Sequence, residues 1–271
     1  KFAVARALLP DGILVLNADD SNIVDAAAHV SKRICWFSLD AKSPQITQAQ
    51  MLGQPCAYLQ DDVLVYWTGT EDAWEIPLKD VPITLSGAAK HNMRNALAAI
   101  CACSALGIGA ETIQKGLSAF VSDQQNNPGR FNEFSYNGAR VIVDFAHNAH
   151  SVAAVCDATA QIPAKRRFLM LSQPGDHSDH AIGEVTTNAL EFRPDLIVTA
   201  EIADHLRGRL LGETTGVIRA SAVAAGFSGD NIMAASSPSV GTKIILDKLE
   251  PDDLALLLVL SDRDAVFQSL A

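Results

Sequence analysis

The sequence predicts an α/β protein in two parts, the first mixing strands with helices and the second built on a mostly parallel sheet. Three observations carry this. Beyond Asn127, strand-like and helix-like runs alternate; ahead of it, short strand runs gather around one long helical pattern; between them, Ser122 to Gly129 contains no hydrophobic residue and ends in Pro-Gly. Such a stretch is how an interdomain hinge is written, and it sets the expected domains at residues 1–126 and 127–271.

In the first part, Gly12 to Asn17 is an apolar run after a Pro10-Asp11-Gly12 turn and reads as a strand. Its Asn17-Ala-Asp-Asp20 end opens into a loop, after which Ser21 caps a helix near Ile23 to Val30. Arg33 to Ser38 repeats the strand pattern, followed by shorter, exposed strands at Ala57 to Tyr58, Val63 to Trp67 and Ala73 to Ile76. From Ala88 to Leu106, apolar residues recur at spacings of three and four until Gly107, which predicts a helix. Glu111 to Phe120 predicts another, with Ile113, Leu117 and Phe120 on one face. In the second part, strands are expected at Arg140 to Phe145, Arg167 to Leu171, Leu196 to Ala200 and Leu254 to Leu260. Helices are expected at Ser151 to Gln161, His180 to Phe192, Gly212 to Ala225 and Val240 to Leu249. Strand and helix in turn give a Rossmann-like sheet whose ligands meet the loops at the carboxyl ends of strands. Those loops are Asp144 to His150, Ser172 to His180 and Ala200 to Arg209.

With 271 residues and 48% hydrophobic content the chain is long enough for about two domains and is not disordered. Its formal charge of −10 repels a phosphate backbone and an anionic membrane, which argues against nucleic acid as main partner. The most apolar run, Leu254 to Leu260, is far shorter than a membrane span, and no signal peptide opens the sequence. Five scattered cysteines without a Cys-x-x-Cys pair encode neither a disulfide framework nor a zinc knuckle and fit a reducing cytoplasm. The chain opens at Lys1 without an initiator Met and runs almost at once into a strand, so it reads like the middle of a longer protein.

The chemistry-bearing residues gather at predicted strand ends. Asp144, His147 and His150 follow one strand and Asp176, His177, Asp179 and His180 the next, which crowds four histidines and three aspartates on one edge if the strands are neighbours. Imidazole and carboxylate are zinc and manganese ligands, yet these loop residues have no matched spacing and fix no coordination set. Asp144 and His147 either bind a ribose or phosphate, or cap the strand end and pack on a helix; Gly175-Asp176 leaves room for a ligand to approach the backbone. Arg130 at the hinge either reaches a phosphate or is a solvated surface residue. His91 and Asn95 lie four apart on the long helix and share a face, with Asn92 one step round; such amides read an adenine edge or cap the helix. No Gly-x-x-x-x-Gly-Lys-Ser/Thr run occurs, since Gly241-Thr242-Lys243 lacks the leading glycine, so a complete nucleotide-triphosphate site is not encoded.

Five motifs in order resemble the Mur ligase superfamily, and more closely the Mur-ligase-like part of cyanophycin synthetases. Pro10 to Asp20 looks like the segment preceding a central-domain helix. His91-Asn92-Met-Arg-Asn95 is similar to the family's His-Asn-x-x-Asn helix, and Asn127-Pro-Gly-Arg130-Phe-Asn132 to its interdomain linker. Asp144-Phe-Ala-His147-Asn148 resembles the Asp-Tyr-Ala-His-Asn-Pro signature, and Pro174-Gly175-Asp176 with Arg207-Gly208-Arg209 and Gly212-Glu213 resembles cyanophycin synthetases in particular. Phe145 stands where the signature has tyrosine, Ala149 where it has proline, and His177 where a Gly-Asp-Arg stretch has arginine.

The resemblance implies a partial Mur-ligase central domain followed by the family's C-terminal domain. It implies an ATP-dependent amide ligase that activates a carboxylate as an acyl phosphate and couples an amino acid, arginine onto an aspartate backbone in cyanophycin synthetases. His91, Asn92 and Asn95 would lie near adenine, Arg130 near the phosphates, Asp144 near the ribose, and His147 and Asn148 in the closed site, with Arg130 and His147 catalytic. Gly175, Asp176, His177 and Asp179 would meet the amino substrate, a guanidinium suiting Asp176, Asp179 or Glu201. The implied partners are ATP, an amino acid and a carboxylate acceptor, with Mg2+ held mainly by an upstream region that would also carry the phosphate-binding loop. The 271-residue piece alone is therefore expected to be inactive. A non-catalytic amino-acid or nucleotide binding module is the alternative, and a homo-oligomer is left open.

Overall fold

The computed structural model describes residues 2–70 and 72–271. The chain divides into two units, one ending at Val121 and the other running from Ser122 to Ala271. This division falls before the predicted boundary because the polar hinge is tied forward. Buried Asn132 donates from Nδ2 to Ser122 O at 3.1 Å and to Asn127 O at 3.0 Å.

In the first unit, β1 (Ile13–Asn17), β2 (Arg33–Ser38), β3 (Cys56–Gln60), β4 (Val63–Trp67) and β5 (Ala73–Pro77) form one sheet in that order. The first three strands run parallel, and β4 and β5 return antiparallel. Between β1 and β2 lies α1 (Ser21–Ala27). Asp20, rather than Ser21, caps it, because its extended backbone lets the carboxylate accept from Asn22 N and Ile23 N. A helix absent from the sequence reading, α2 (Pro44–Met51), precedes β3; only Ile46 and Ala49 of its eight residues are buried. The long helix α3 (Lys90–Ala105) lays Met93, Ala96, Leu97, Ile100 and Cys101 on the sheet, and α4 (Ala110–Ala119) adds Ile113 and Leu117.

The second unit holds β6 (Asn132–Tyr136), β7 (Ala139–Asp144), α5 (Ala149–Ala160), β8 (Arg167–Leu171), α6 (Asp179–Ala189), β9 (Leu196–Ala200), α7 (Glu213–Ala224), β10 (Ile232–Ala235), α8 (Pro238–Leu246), β11 (Leu254–Leu258) and α9 (Arg263–Gln268). Its sheet runs β10-β9-β8-β11-β7-β6, parallel except for β6 against β7. One face packs Val141, Val143, Met170, Val198 and Leu257 with residues of α8 and α9. Strand alternation turns Ile142, Leu169, Ile197 and Leu256 to the other face, where α5, α6 and α7 lie side by side. The sheet order corrects one expectation. β11 is inserted between β7 and β8, so the loops after those two strands are about 10 Å apart at the backbone. Their histidines and aspartates are not on neighbouring strands, and among the described residues no group of three or more His, Cys, Asp or Glu is placed to hold a metal ion.

All five cysteines are free thiols. Burial pushes the Cys56 and Cys156 thiols up to about 12, which leaves them as small hydrophobes. Among the described residues no helix is long and apolar enough to cross a membrane.

Candidate functional site

The predicted site residues divide between the two units. In the first unit, the residue at the cap position of α3 is Ala89, which has no side-chain acceptor, and Asn92 and Asn95 lie inside the helix, so their amides do not cap it. Asn92 Nδ2 instead reaches back to Ile83 O at 2.8 Å, and Asn95 Nδ2 donates to Asn92 Oδ1 at 3.3 Å. This chain fixes Asn92 and leaves Asn95 exposed. His91 is half-buried, and that burial, with Arg94 beside it, holds the imidazole below its ordinary range and hence neutral. The cation Arg94 is held by Asp19 at 3.1 Å, and Asp19 also accepts from Ser38 Oγ at 2.6 Å, which joins the ends of β1 and β2 to α3.

In the second unit, the loop after β7 is organised by a buried carboxylate. Asp144 Oδ2 accepts from Phe131 N at 2.8 Å and Oδ1 from Ala146 N at 2.7 Å, the geometry of a strand-end cap. Burial raises its affinity for the proton, while those backbone donors and the Arg130 charge work against it. Phe131 has φ 52, a left-handed conformation uncommon for a bulky residue, and Asp144 holds its N–H there. Asn132 adds a second clamp, accepting from Gly129 N at 2.6 Å and donating to Arg130 O at 3.3 Å. Arg130 itself is exposed. Its guanidinium lies 5.1 Å from the centre of the Phe145 ring, and among the described residues no carboxylate pairs with it. His147 sets its ring edge against Phe145 and its Nδ1 3.1 Å from Phe145 O. Asn148 caps α5 by accepting from Ser151 N at 2.9 Å, while Ser151 Oγ returns to the Asn148 backbone. Ala149 thus begins a well-capped helix without the proline of the signature.

The loops after β8 and β9 are bound to each other. A β-carbon added at Gly175 would fall 1.8 Å from Leu206 O, so the space expected to admit a ligand is filled by the chain's own backbone. Gly175 N donates to His205 O at 2.8 Å. Arg209 donates to Gly175 O at 3.0 Å and His177 O at 2.7 Å and pairs with Asp179 at 2.7 Å. Arg207 pairs with Asp176. Glu201, buried at the end of β9, accepts from Gly212 N at 2.6 Å and Thr214 Oγ1 at 3.0 Å. The three carboxylates expected to receive a guanidinium are therefore occupied by the chain's own donors. His177 Nδ1 lies 2.8 Å from Oε1 of buried Gln173.

Sequence reading missed Asn132 and Gln173 as organisers. A signal existed for Gln173, a polar residue just beyond the buried strand β8, where an amide stays only with hydrogen-bond work to do; Asn132 opens the largely exposed edge strand β6 and carries no such signal.

Comparison with known proteins agrees with this architecture. Residues 129–258 match the family model for the Mur ligase, glutamate ligase domain. Cyanophycin synthetase of Synechocystis sp. is 30% identical over 222 residues, covering 80% of this chain and 25% of that protein. The chain thus spans about a quarter of the length of the curated relatives it matches. A murein peptide ligase from Psychrobacter arcticus superposes with TM-score 0.62 at 18% identity, over 98% of this chain and 52% of that one. A bifunctional folylpolyglutamate synthase/dihydrofolate synthase from Yersinia pestis, complexed with AMPPNP and Mn ion, gives TM-score 0.61 at 17% identity, over 98% of this chain and 54% of that one. The second unit carries the Mur ligase, glutamate ligase domain over residues 129–258, and the chain as a whole is similar to the ligases named above.

Proposed function

We propose that this chain supplies part of an ATP-dependent ligase that forms an amide bond between a carboxylate and an amino acid, with arginine and an aspartate side chain as the substrates. The observation that carries the reading is Arg130. A cation that no carboxylate bonds among the described residues, laid on an aromatic face and anchored by two clamped backbone neighbours, suits an anion delivered by a ligand. ATP would supply the phosphoryl group that activates the carboxylate. Arg130 would offset the charge on the phosphates, His147 would present its other ring nitrogen to the reacting groups, and Asp144 and Asn148 would line the ribose side. His91, Asn92 and Asn95 would contact adenine, the neutral imidazole and amides suiting an uncharged base. Gly175, Asp176, His177 and Asp179 would border the amino substrate, with the two aspartates acting through Arg207 and Arg209.

The relative bound to AMPPNP and manganese supports nucleotide and divalent-metal use. Among the described residues no group of three or more His, Cys, Asp or Glu is placed to hold that metal. A cytoplasmic location belongs to the same proposal.

The test is ADP formation by the full-length protein with arginine and an aspartate-rich acceptor, together and singly. ADP release that requires both, and falls at least about a hundredfold in Arg130→Ala, supports the reading. Nucleotide or amino-acid binding without turnover points instead to a non-catalytic module, and neither binding nor turnover removes the proposal.

A further inference from the structure

Beyond Leu171 the chain leaves β8, but the next two residues stay inside, with Ser172 0% and Gln173 1% exposed. Ser172 Oγ is satisfied by Leu258 O. Gln173 is half satisfied. Its Oε1 faces His177 Nδ1 at 2.8 Å, whereas its Nε2 is buried with no hydrogen-bond partner among the described residues. An amide kept only for stability would bond at both ends, since an unmade buried bond costs about 1–3 kcal/mol. This one is held for the ring it touches. An amide oxygen only accepts, so Nδ1 carries the hydrogen and Nε2 keeps its lone pair, against the Nε2–H form that unconstrained histidine favours. The same residue is fixed from behind by Arg209, which donates to its carbonyl and to that of Gly175. The result is a half-exposed imidazole, held at ring and backbone, at the carboxyl edge of the sheet.

We infer, resting on the ligase reading above for the substrate, that Gln173 is a positioning residue that fixes the His177 tautomer so that Nε2 takes the proton from the incoming ammonium group. An ammonium nitrogen has no electron pair to attack with. Transfer of one proton to Nε2 frees that pair, the C–N bond forms at the carbonyl carbon of the acyl phosphate, and the C–O bond to phosphorus breaks. Phosphate leaves with the bond electrons and takes the nitrogen's remaining surplus proton, and His177 then returns its proton to water. Imidazole, with one ring nitrogen bare, is the side chain suited to this exchange near neutral pH.

Two measurements decide it. In the 15N-labelled chain, long-range 1H–15N spectra at neutral pH should show His177 protonated at Nδ1 and bare at Nε2, and Gln173→Leu should move the balance to Nε2–H. An Nε2–H majority in the unsubstituted chain overturns the inference without a variant having to fold, and leaves the ligase reading intact. In the full-length protein, arginine is then compared with hydroxylamine, which is already an uncharged nucleophile at pH 7. The ratio of amide to hydroxamate should fall at least about tenfold in His177→Gln and partly recover as pH is raised. An unchanged ratio, the outcome of a merely structural role, overturns the base assignment. No hydroxamate from the unsubstituted protein removes the ligase reading and the base role with it, while the tautomer still decides what Gln173 does.

Discussion

The loop after β7 and the loop after β8 lie at the same edge of one sheet and dispose of their charges in opposite ways. After β7 the carboxylate is consumed by backbone N–H groups, Asp144 bonding Phe131 and Ala146, and the cation Arg130 is left on an aromatic ring. Against the β8 loop both arginines of the β9 loop are matched, Arg207 by Asp176 and Arg209 by Asp179, and what remains is an imidazole bonded to an amide. On the proposals above, the first loop would receive an anion and the second a group that gives up a proton. The difference shows that a charged residue at a strand end is as often scaffold as site, and that its pairing decides which.

The largest way to break this contrast is to separate the β8 and β9 loops. Gly175→Ala places a carbon 1.8 Å from Leu206 O, where backbone cannot yield as a flexible side chain does. We expect a loss of about 3 kcal/mol, at the upper end for overpacking. All three tryptophans, Trp36, Trp67 and Trp74, lie in the first unit, so the loss is read from hydrogen exchange of β8 and β9 amides rather than fluorescence. An alanine variant with unchanged exchange would mean that the two loops are not bound as described.

Next in size is Asp144. Asp144→Ala leaves two N–H groups unbonded, one of them on left-handed Phe131, and should cost about 2 kcal/mol. The pH dependence has a definite sign. Burial raises the Asp144 pKa from its ordinary 3.8, so the folded state binds the proton more tightly than the unfolded state. Its contribution is most favourable below 3.8 and declines as pH rises from there through the folded value. Asp144→Asn removes that decline, by at most about 1.4 kcal/mol per pH unit, so urea midpoints followed from pH 3 to 7 should fall less steeply than in the unsubstituted chain.

These residues mark how far the sequence was legible. Strands whose faces are both buried, such as Arg167–Leu171 and Leu196–Ala200, announce themselves as continuous apolar runs and were placed to the residue. β6 and α2 were not, because an edge strand reading Asn-Glu-Phe-Ser-Tyr and a helix burying only two residues carry little periodic signal. The same limit applies at the site. Motifs located Asp144, His147 and Gly175-Asp176, since local spacing survives in sequence. Which aspartate meets which arginine depends on the β9 loop folding back over about 30 residues, and which loops are neighbours depends on β11 inserting between β7 and β8 from about 90 to 110 residues away, contacts that no local pattern encodes.

A smaller effect belongs to Arg209. Its side chain is 20% exposed and makes two backbone bonds besides the pair with Asp179, whose own side chain is 70% exposed. The exposed pair contributes little, so Arg209→Met should cost about 1–2 kcal/mol, nearly all from the two carbonyls left without a donor. Asp179→Asn, which removes only the charge, should fall within about 0.5 kcal/mol. Chemical denaturation of the two variants separates these contributions, and equal losses would mean that the ion pair, not the carbonyl clamp, holds the loop.

The smallest effect on stability sharpens the comparison most. Arg130 is exposed and its guanidinium rests on the Phe145 face, a type of interaction worth about 0.5–1 kcal/mol at such sites. Its charge also helps keep Asp144 ionised, so Arg130→Ala should cost no more than about 1 kcal/mol and leave the fold unaltered. Arg130→Lys keeps the charge but loses the flat guanidinium that rests on the ring and bonds two oxygens at once. If the β7 loop is built for an anion, affinity for a nucleotide triphosphate measured by titration calorimetry should fall in the order Arg, Lys, Ala while stability barely changes. A scaffold residue would behave the other way, losing stability and affinity in proportion, as Asp144 is expected to do.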